Sequence, residues 1–172
     1  MLFLQISNQP VKWHKYTMLI LAFLGGCSAS GPKFSEPAPF LNKEAIVYMY
    51  RPYVFFRGGE TPTIFVNGEA KRQLKNGGFI FFHVDPGEHK IKLAKKTFFS
   101  LWSDKGVENV LNVVSNRRYF LRLDIDFDGF VPTGYSNSYP VGNGMTFYGS
   151  SRLVKIPENI AIEEMSDLNS SM

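Results

Sequence analysis

Ala45-Ile46-Val47-Tyr48-Met49-Tyr50-Arg51-Pro52 is a nearly continuous apolar run closed by an arginine and a proline. Six apolar residues in a row, four of them β-branched or aromatic, suit a strand buried on both faces. Proline then ends it. Downstream, Thr63-Ile64-Phe65-Val66 is followed by Asn67-Gly68, the strongest short hairpin signal, and the chain returns through Ala70 to Leu74. Asn76-Gly77-Gly78 makes another turn, and Phe79 to Val84 forms the next strand. Asp85-Pro86-Gly87-Glu88 has the composition of a type II turn and leads into His89 to Leu93, where Lys90 and Lys92 alternate with Ile91 and Leu93.

Further strands are expected over Thr97 to Trp102 and Tyr119 to Asp126, with a last pair at Thr146-Phe147-Tyr148 and Arg152-Leu153-Val154. After Pro157, residues Ala161, Met165 and Leu168 fall at helical spacing. The expected fold is all-β, an antiparallel β-sandwich or small barrel-like domain with a short C-terminal helix. Segments 103–117 and 128–145 receive no assignment.

Composition agrees. Of 172 residues 44% are hydrophobic and 15% aromatic, with 15 Gly and 10 Pro, which excludes a disordered chain. One cysteine excludes a disulfide scaffold. That cysteine is better read as an address. Lys12, His14 and Lys15 precede an apolar stretch to Leu24, and Leu24-Gly25-Gly26-Cys27 follows, then Ser28-Ala29-Ser30. A basic region, a short apolar region and small residues at a cleavage point make a secretory signal. The apolar stretch is shorter than the roughly 20 residues that span a bilayer.

Leu-Gly-Gly-Cys resembles a bacterial lipobox, which implies lipid on Cys27 and membrane attachment through it. Ser28 is not the aspartate that resembles an inner-membrane retention signal, so the outer membrane, periplasmic face, is expected. The division is 1–26 signal peptide, 27–43 lipidated Cys27 and flexible tether, 44–168 domain and 169–172 tail. Residues 1–26 carry Lys12 and Lys15, so half of the formal net charge of +4 belongs to the export segment.

The order of elements also resembles a bacterial lipoprotein family known as domain of unknown function 2846. Its pattern is matched by Tyr48, Tyr50, Arg51 and Pro52, by Val66 to Gly68, by Leu74 to Gly77, by Pro86 to His89, by Tyr119 to Arg122 and by the helical C-terminus Ile160 to Leu168, so the likeness is expected to cover residues 44 to about 168. These motifs are mostly turn chemistry. The resemblance implies a fold and transfers no catalytic residue.

Each candidate site also has a plainer reading. Asp124, Asp126 and Asp128, followed by Gly129, match the start of a calcium loop, but the twelfth place is Tyr135 rather than a bidentate Glu. The plainer reading puts the three carboxylates on a solvated strand face, with Ile125 and Phe127 toward the core. His83 and His89 would project from opposite faces if residues 83–90 form a hairpin, so a shared metal is not expected. No nucleophile elbow occurs, so no enzyme activity and no cofactor are expected.

The lysines at 90, 92, 95 and 96, and Lys71, Arg72 and Lys75, read as solvated strand faces. Their functional alternative is contact with anionic envelope polymers or lipid headgroups, and nucleic acid is not expected as a partner. The aromatic residues Phe55, Phe56, Phe98, Phe99 and Trp102 are candidates for a partner surface, because adjacent strand residues face opposite ways. The expectation is a lipid-anchored cell-envelope module that binds or scaffolds an envelope protein or polymer. The alternative is a small carrier of lipid or another hydrophobic ligand.

Overall fold

The computed structural model describes residues 28–95, 102, 106–133 and 144–171. Strands β1 (Ala45–Arg51), β4 (Gly78–Val84), β7 (Arg118–Thr133), β8 (Gly144–Ile156) and β9 (Asn169–Ser170) form one sheet in the order β8-β7-β1-β4-β9. Strands β2 (Thr63–Val66), β3 (Glu69–Gln73), β5 (Gly87–Ala94) and β6 (Val107–Val113) form a second, ordered β3-β2-β5-β6. The sheets remain open and pack face to face, a sandwich rather than a barrel. Pairing is antiparallel except for β1 with β7 and β4 with β9, which are parallel.

β1 explains the third layer. All of its residues are buried, and successive side chains point to opposite faces of a strand. Ala45, Val47 and Met49 enter the core between the sheets with Ile64, Leu74, Ile91, Leu93, Leu121 and Leu123. Ile46, Tyr48 and Tyr50 enter a second core on the outer face. Helix α1 (Glu158–Met165) covers that face through Ala161 and Met165, and Leu168 joins them just past its end. An unbroken apolar run is what a strand with two buried faces requires.

Residues 28–43, expected as a tether, lie along this outer face. Phe34 is buried and meets Tyr48 and Phe79 edge-on, with ring centroids 6.2 and 5.4 Å away. The Ala38 amide donates to the Tyr48 hydroxyl at 2.5 Å, and Arg118 stacks on Phe40 at 4.4 Å. Proline and glycine marked flexibility in the sequence, but Phe34 supplies the apolar surface that docks the segment. Residues 169–171, read as a tail, hold its start: Gly31 donates to the Ser170 carbonyl (3.0 Å) and Ser170 to the Pro32 carbonyl (2.8 Å).

Three elements differ from the sequence reading. Thr146–Tyr148 and Arg152–Val154 are parts of the single strand β8, paired along β7 from Phe120–Ile156 to Thr133–Gly144. Gly149, which looks like a turn residue, sits mid-strand because a Cβ there would overlap the Asp126 carbonyl oxygen and crowd the Phe56 ring. Segment 103–117 contains β6, whose Val-Glu-Asn-Val-Leu-Asn-Val pattern alternates imperfectly. The Asp85–Glu88 turn does not close a hairpin. Val84 pairs with Ala45 of β1 while Gly87 pairs with Val113 of β6, so the turn is a corner between sheets. A Pro-Gly signal is local and carries no information about which sheet the next strand joins. Of the strand expected over Thr97 to Trp102, residues 97–101 lie outside the described residues.

Candidate functional site

Strand directions sort the loops into two ends. Arg51, at the close of β1, pairs with Gly78, while Ala45 pairs with Val84. One end therefore carries loop 52–62, Asn76-Gly77 and the overhang of β7 beyond Arg122, which is the partner of Tyr50. The other carries Glu44, the 85–88 corner and Asn67-Gly68.

Loop 52–62 at the Arg51 end is built around a buried cation. Arg51 has no exposed surface; its Nη1 donates to the Glu60 carbonyl at 2.5 Å and its Nη2 to the Arg57 carbonyl at 2.8 Å. Burial pushes the guanidinium down to about 10, the expected direction for a cation taken out of water. Arg57 adopts a left-handed φ of 57° and forks onto Glu60 at 2.8 and 2.7 Å. Its Nη1 reaches Ser151 Oγ of β8 at 2.9 Å and its guanidinium lies 4.7 Å over Trp102.

Asn76 clamps the other arm of the loop, accepting from the Val54 amide at 3.0 Å and donating to the Val54 carbonyl at 2.8 Å. The loop is thus fixed at both arms, and it holds Tyr53 at 68% and Phe55 at 96% exposure. Keeping a phenylalanine in water forgoes roughly 1.5–3 kcal/mol of burial. A rigid loop that does so presents a surface.

The β7–β8 ribbon extends this surface. Phe56 packs edge-on against Phe127 with centroids 5.0 Å apart. A bulge between Phe127 and Gly129 sets Phe127 opposite Gly149 and Phe130 opposite Phe147. Those partners are two residues apart on β8, so Phe127 and Phe130 lie on one face. They are 51% and 57% exposed. The sequence placed Phe127 in the core by alternation, as it did Ile125. Ile125 is in the core, but Phe127 packs on Phe56 of loop 52–62 and stays half-exposed. Trp102 is only 2% exposed, with Nε1 donating to the Leu93 carbonyl at 3.3 Å, so it packs in the core instead of on a surface. Phe98 and Phe99 lie outside the described residues, as does Cys27.

Asp124 and Asp126 lie in an ionic network on the outer face. Arg122 grips Asp124 at 2.6 Å and Glu164 of α1 at 2.5 Å. Arg152 reaches Asp124 at 3.3 Å and Asp126 at 3.4 Å. The hydrogen bond to Asp124 raises the Arg122 guanidinium further. Tyr50 donates to Glu164 at 2.5 Å, and burial first, then that carboxylate, pushes its hydroxyl well up. Tyr48 is raised by burial too. The strand continues through the bulge at Asp128 to Thr133, and Asp124 and Asp126 face arginines. Among the described residues no three His, Cys, Asp or Glu side chains converge on a metal position.

A polar cleft of about 320 Å³ occupies the Glu44 end, lined by Glu44, Asn67, Glu69, His83 and His89 among others. Because β4 and β5 belong to different sheets, the two histidines share this cleft, contrary to the hairpin argument. His83 Nδ1 lies 3.4 Å from Glu44. The Asn67 side-chain oxygen accepts from the Lys90 amide at 2.9 Å, so its NH₂ donates to His89 Nδ1 at 3.1 Å. His89 Nε2–H then donates to the Asp85 carbonyl at 2.8 Å. Both ring nitrogens are engaged in holding the corner. Lys90 pairs with Glu108 and Lys71 with Glu69, at 3.1 and 2.8 Å, on solvated strand faces.

Arg51, Asn76, Phe127 and Phe130 were absent from the sequence reading of the site. The signal for Arg51 was present, an arginine directly after a fully apolar strand. No curated protein and no solved structure matches the chain. The profile of the family described as protein of unknown function (DUF2846) matches residues 42–135, from the start of β1 through β7 and thus over loop 52–62 and its Asn76 clamp. That match covers more than half of the sequence, and the chain belongs to the DUF2846 family.

Proposed function

We propose that the chain is a lipid-anchored bacterial cell-envelope module, attached through acylated Cys27 to the periplasmic face of the outer membrane, which binds or scaffolds and does not catalyse. The observation that carries the binding reading is Phe55, 96% exposed on a loop fixed by Arg51 and Asn76. Leu24-Gly25-Gly26-Cys27 carries the anchor. The engagement of both His89 ring nitrogens, with Asn67 and with the Asp85 carbonyl of the corner, supports a non-catalytic role. A lipid carrier would need a lumen between the sheets, and that space is occupied by Val47, Met49, Ile64, Leu93 and Leu121, which supports the module over the carrier.

The test is fractionation of cells producing the full chain and Cys27→Ser, with mass spectrometry of the amino-terminal peptide. The expected result is an acylated Cys27 peptide in the outer-membrane fraction and release of Cys27→Ser. If Cys27→Ser still sediments with membranes and no acylated peptide is found, the anchor is refuted.

A further inference from the structure

We infer that the aromatic surface at the Arg51 end lies on the phospholipid bilayer, with Tyr53, Phe55, Phe127 and Phe130 at the headgroup boundary. The inference rests on the acylation of Cys27 proposed above, and it follows from where the anchored segment meets the fold.

Residues 1–27 join the described chain at Ser28, which bridges Asn76 in parallel. Ala29 is buried, and its amide donates to the Asn76 carbonyl at 2.9 Å. A single residue therefore separates the acylated cysteine from the sheet, and consecutive Cα atoms are about 3.8 Å apart. A flexible 28–43 segment would instead have given a mean reach of roughly 20 Å. Without that slack, the point where acyl chains enter the bilayer sits beside Asn76.

The same Asn76 holds Val54 by two hydrogen bonds, between Tyr53 and Phe55. Phe56 carries the surface on to Phe127, and Phe130 shares the Phe127 face. Anchor and exposed aromatics thus occupy one end of the sandwich. The opposite end is ionic, with Glu44, His83, Asp85 and Glu88. Aromatic rings flanking a membrane attachment are chemically suited to the interface, where apolar faces meet headgroups. A docked segment fixes orientation as well as distance, so the ionic end points away from the lipid.

The test uses the full chain purified from membranes and placed in vesicles of phosphatidylethanolamine and phosphatidylglycerol with brominated acyl chains. Phe55→Trp is the probe, and Tyr53→Trp is a second in case the first folds poorly. Val114→Trp, at the 60% exposed position beside the opposite end, is the reference. Each is read as the difference from the unsubstituted chain, and the amino-terminal peptide is checked for acylation. The expected result is a blue shift and loss of about half the added emission at Phe55→Trp, with Val114→Trp unquenched, as for an interfacial aromatic. An acylated chain whose Phe55→Trp and Tyr53→Trp emit as in water, unquenched, overturns the inference and leaves the anchor standing. A chain without acylation overturns the proposed function and the inference together.

Discussion

Truncating Phe34 tests whether residues 28–43 are part of the domain. Its side chain is 8% exposed, pinned edge-on between Tyr48 and Phe79. Hiding roughly 200 Å² of phenylalanine at about 25 cal/mol per Å² gives about 5 kcal/mol. The unfolded chain already hides part of that area, roughly 10–40%, which leaves about 3–4 kcal/mol. Measured Phe→Ala losses in cores, about 3–5 kcal/mol, fall in the same range. For a domain of this size that is a drop of about 10 °C in Tm. The assay is urea and thermal unfolding of the chain beginning at Ser28, with Leu41→Ala as control. Leu41 lies in the same segment but is 53% exposed, so its loss should stay within about 0.5 kcal/mol. If Phe34→Ala is no more costly than Leu41→Ala, the segment is a tether after all and the docking argument fails.

Alkaline unfolding should report the buried tyrosines. Tyr48 and Tyr50 have hydroxyls raised above the ordinary 10.0, so the folded chain retains protons that the unfolded chain releases. Their contribution is complete below pH 10.0 and declines as pH rises toward the folded values. Arg51, lowered to about 10, acts with opposite sign above that pH, so the reading is a difference: Tyr50→Phe should flatten the alkaline decline, and an unchanged slope would count against the assignment. Gly149→Ala should cost about 1–3 kcal/mol by urea titration, because the added methyl overlaps the Asp126 carbonyl; an unaltered midpoint would mean that the β7–β8 ribbon is not packed as described. Phe55→Ala should change stability by less than about 0.5 kcal/mol, since its ring touches little but water. Calorimetry with millimolar calcium should give no binding heat, and a saturable signal lost in Asp124→Asn would restore the ion site.

The sandwich was legible because its signals are local. Ala45–Tyr50 announced a strand with two covered faces, and Asn67-Gly68 closed the expected hairpin, with φ of 51° and 86°. What failed was inference across distance. Pro86-Gly87 looks alike whether it joins two strands of one sheet or passes between sheets, so the histidine geometry came out reversed. Gly149 reads as a turn until the Asp126 carbonyl beside it is seen. Phe127 continues the alternation of Leu123 and Ile125, but alternation tells which face a residue takes, not how fully that face is covered. Prolines around Phe34 suggested slack, while the apolar surface waiting for Phe34 comes from Tyr48 and Phe79, far along the chain.

The hydrogen bonds that join residues 28–34 to 168–171 have a consequence for folding order. Asn169 donates to the Ala29 carbonyl across a separation of 140 residues, and Phe34 to the Leu168 carbonyl. Closing so long a loop is entropically slow relative to the hairpins between. The sandwich can therefore assemble first and the seam between early and late residues last. Until it shuts, the β4 edge stays open to pairing with another chain. Loss of residues 168–171 would expose that edge for good and leave the amino-terminal segment held by Ala29 on Asn76, by Phe34 between Tyr48 and Phe79 and by Ala38 on Tyr48.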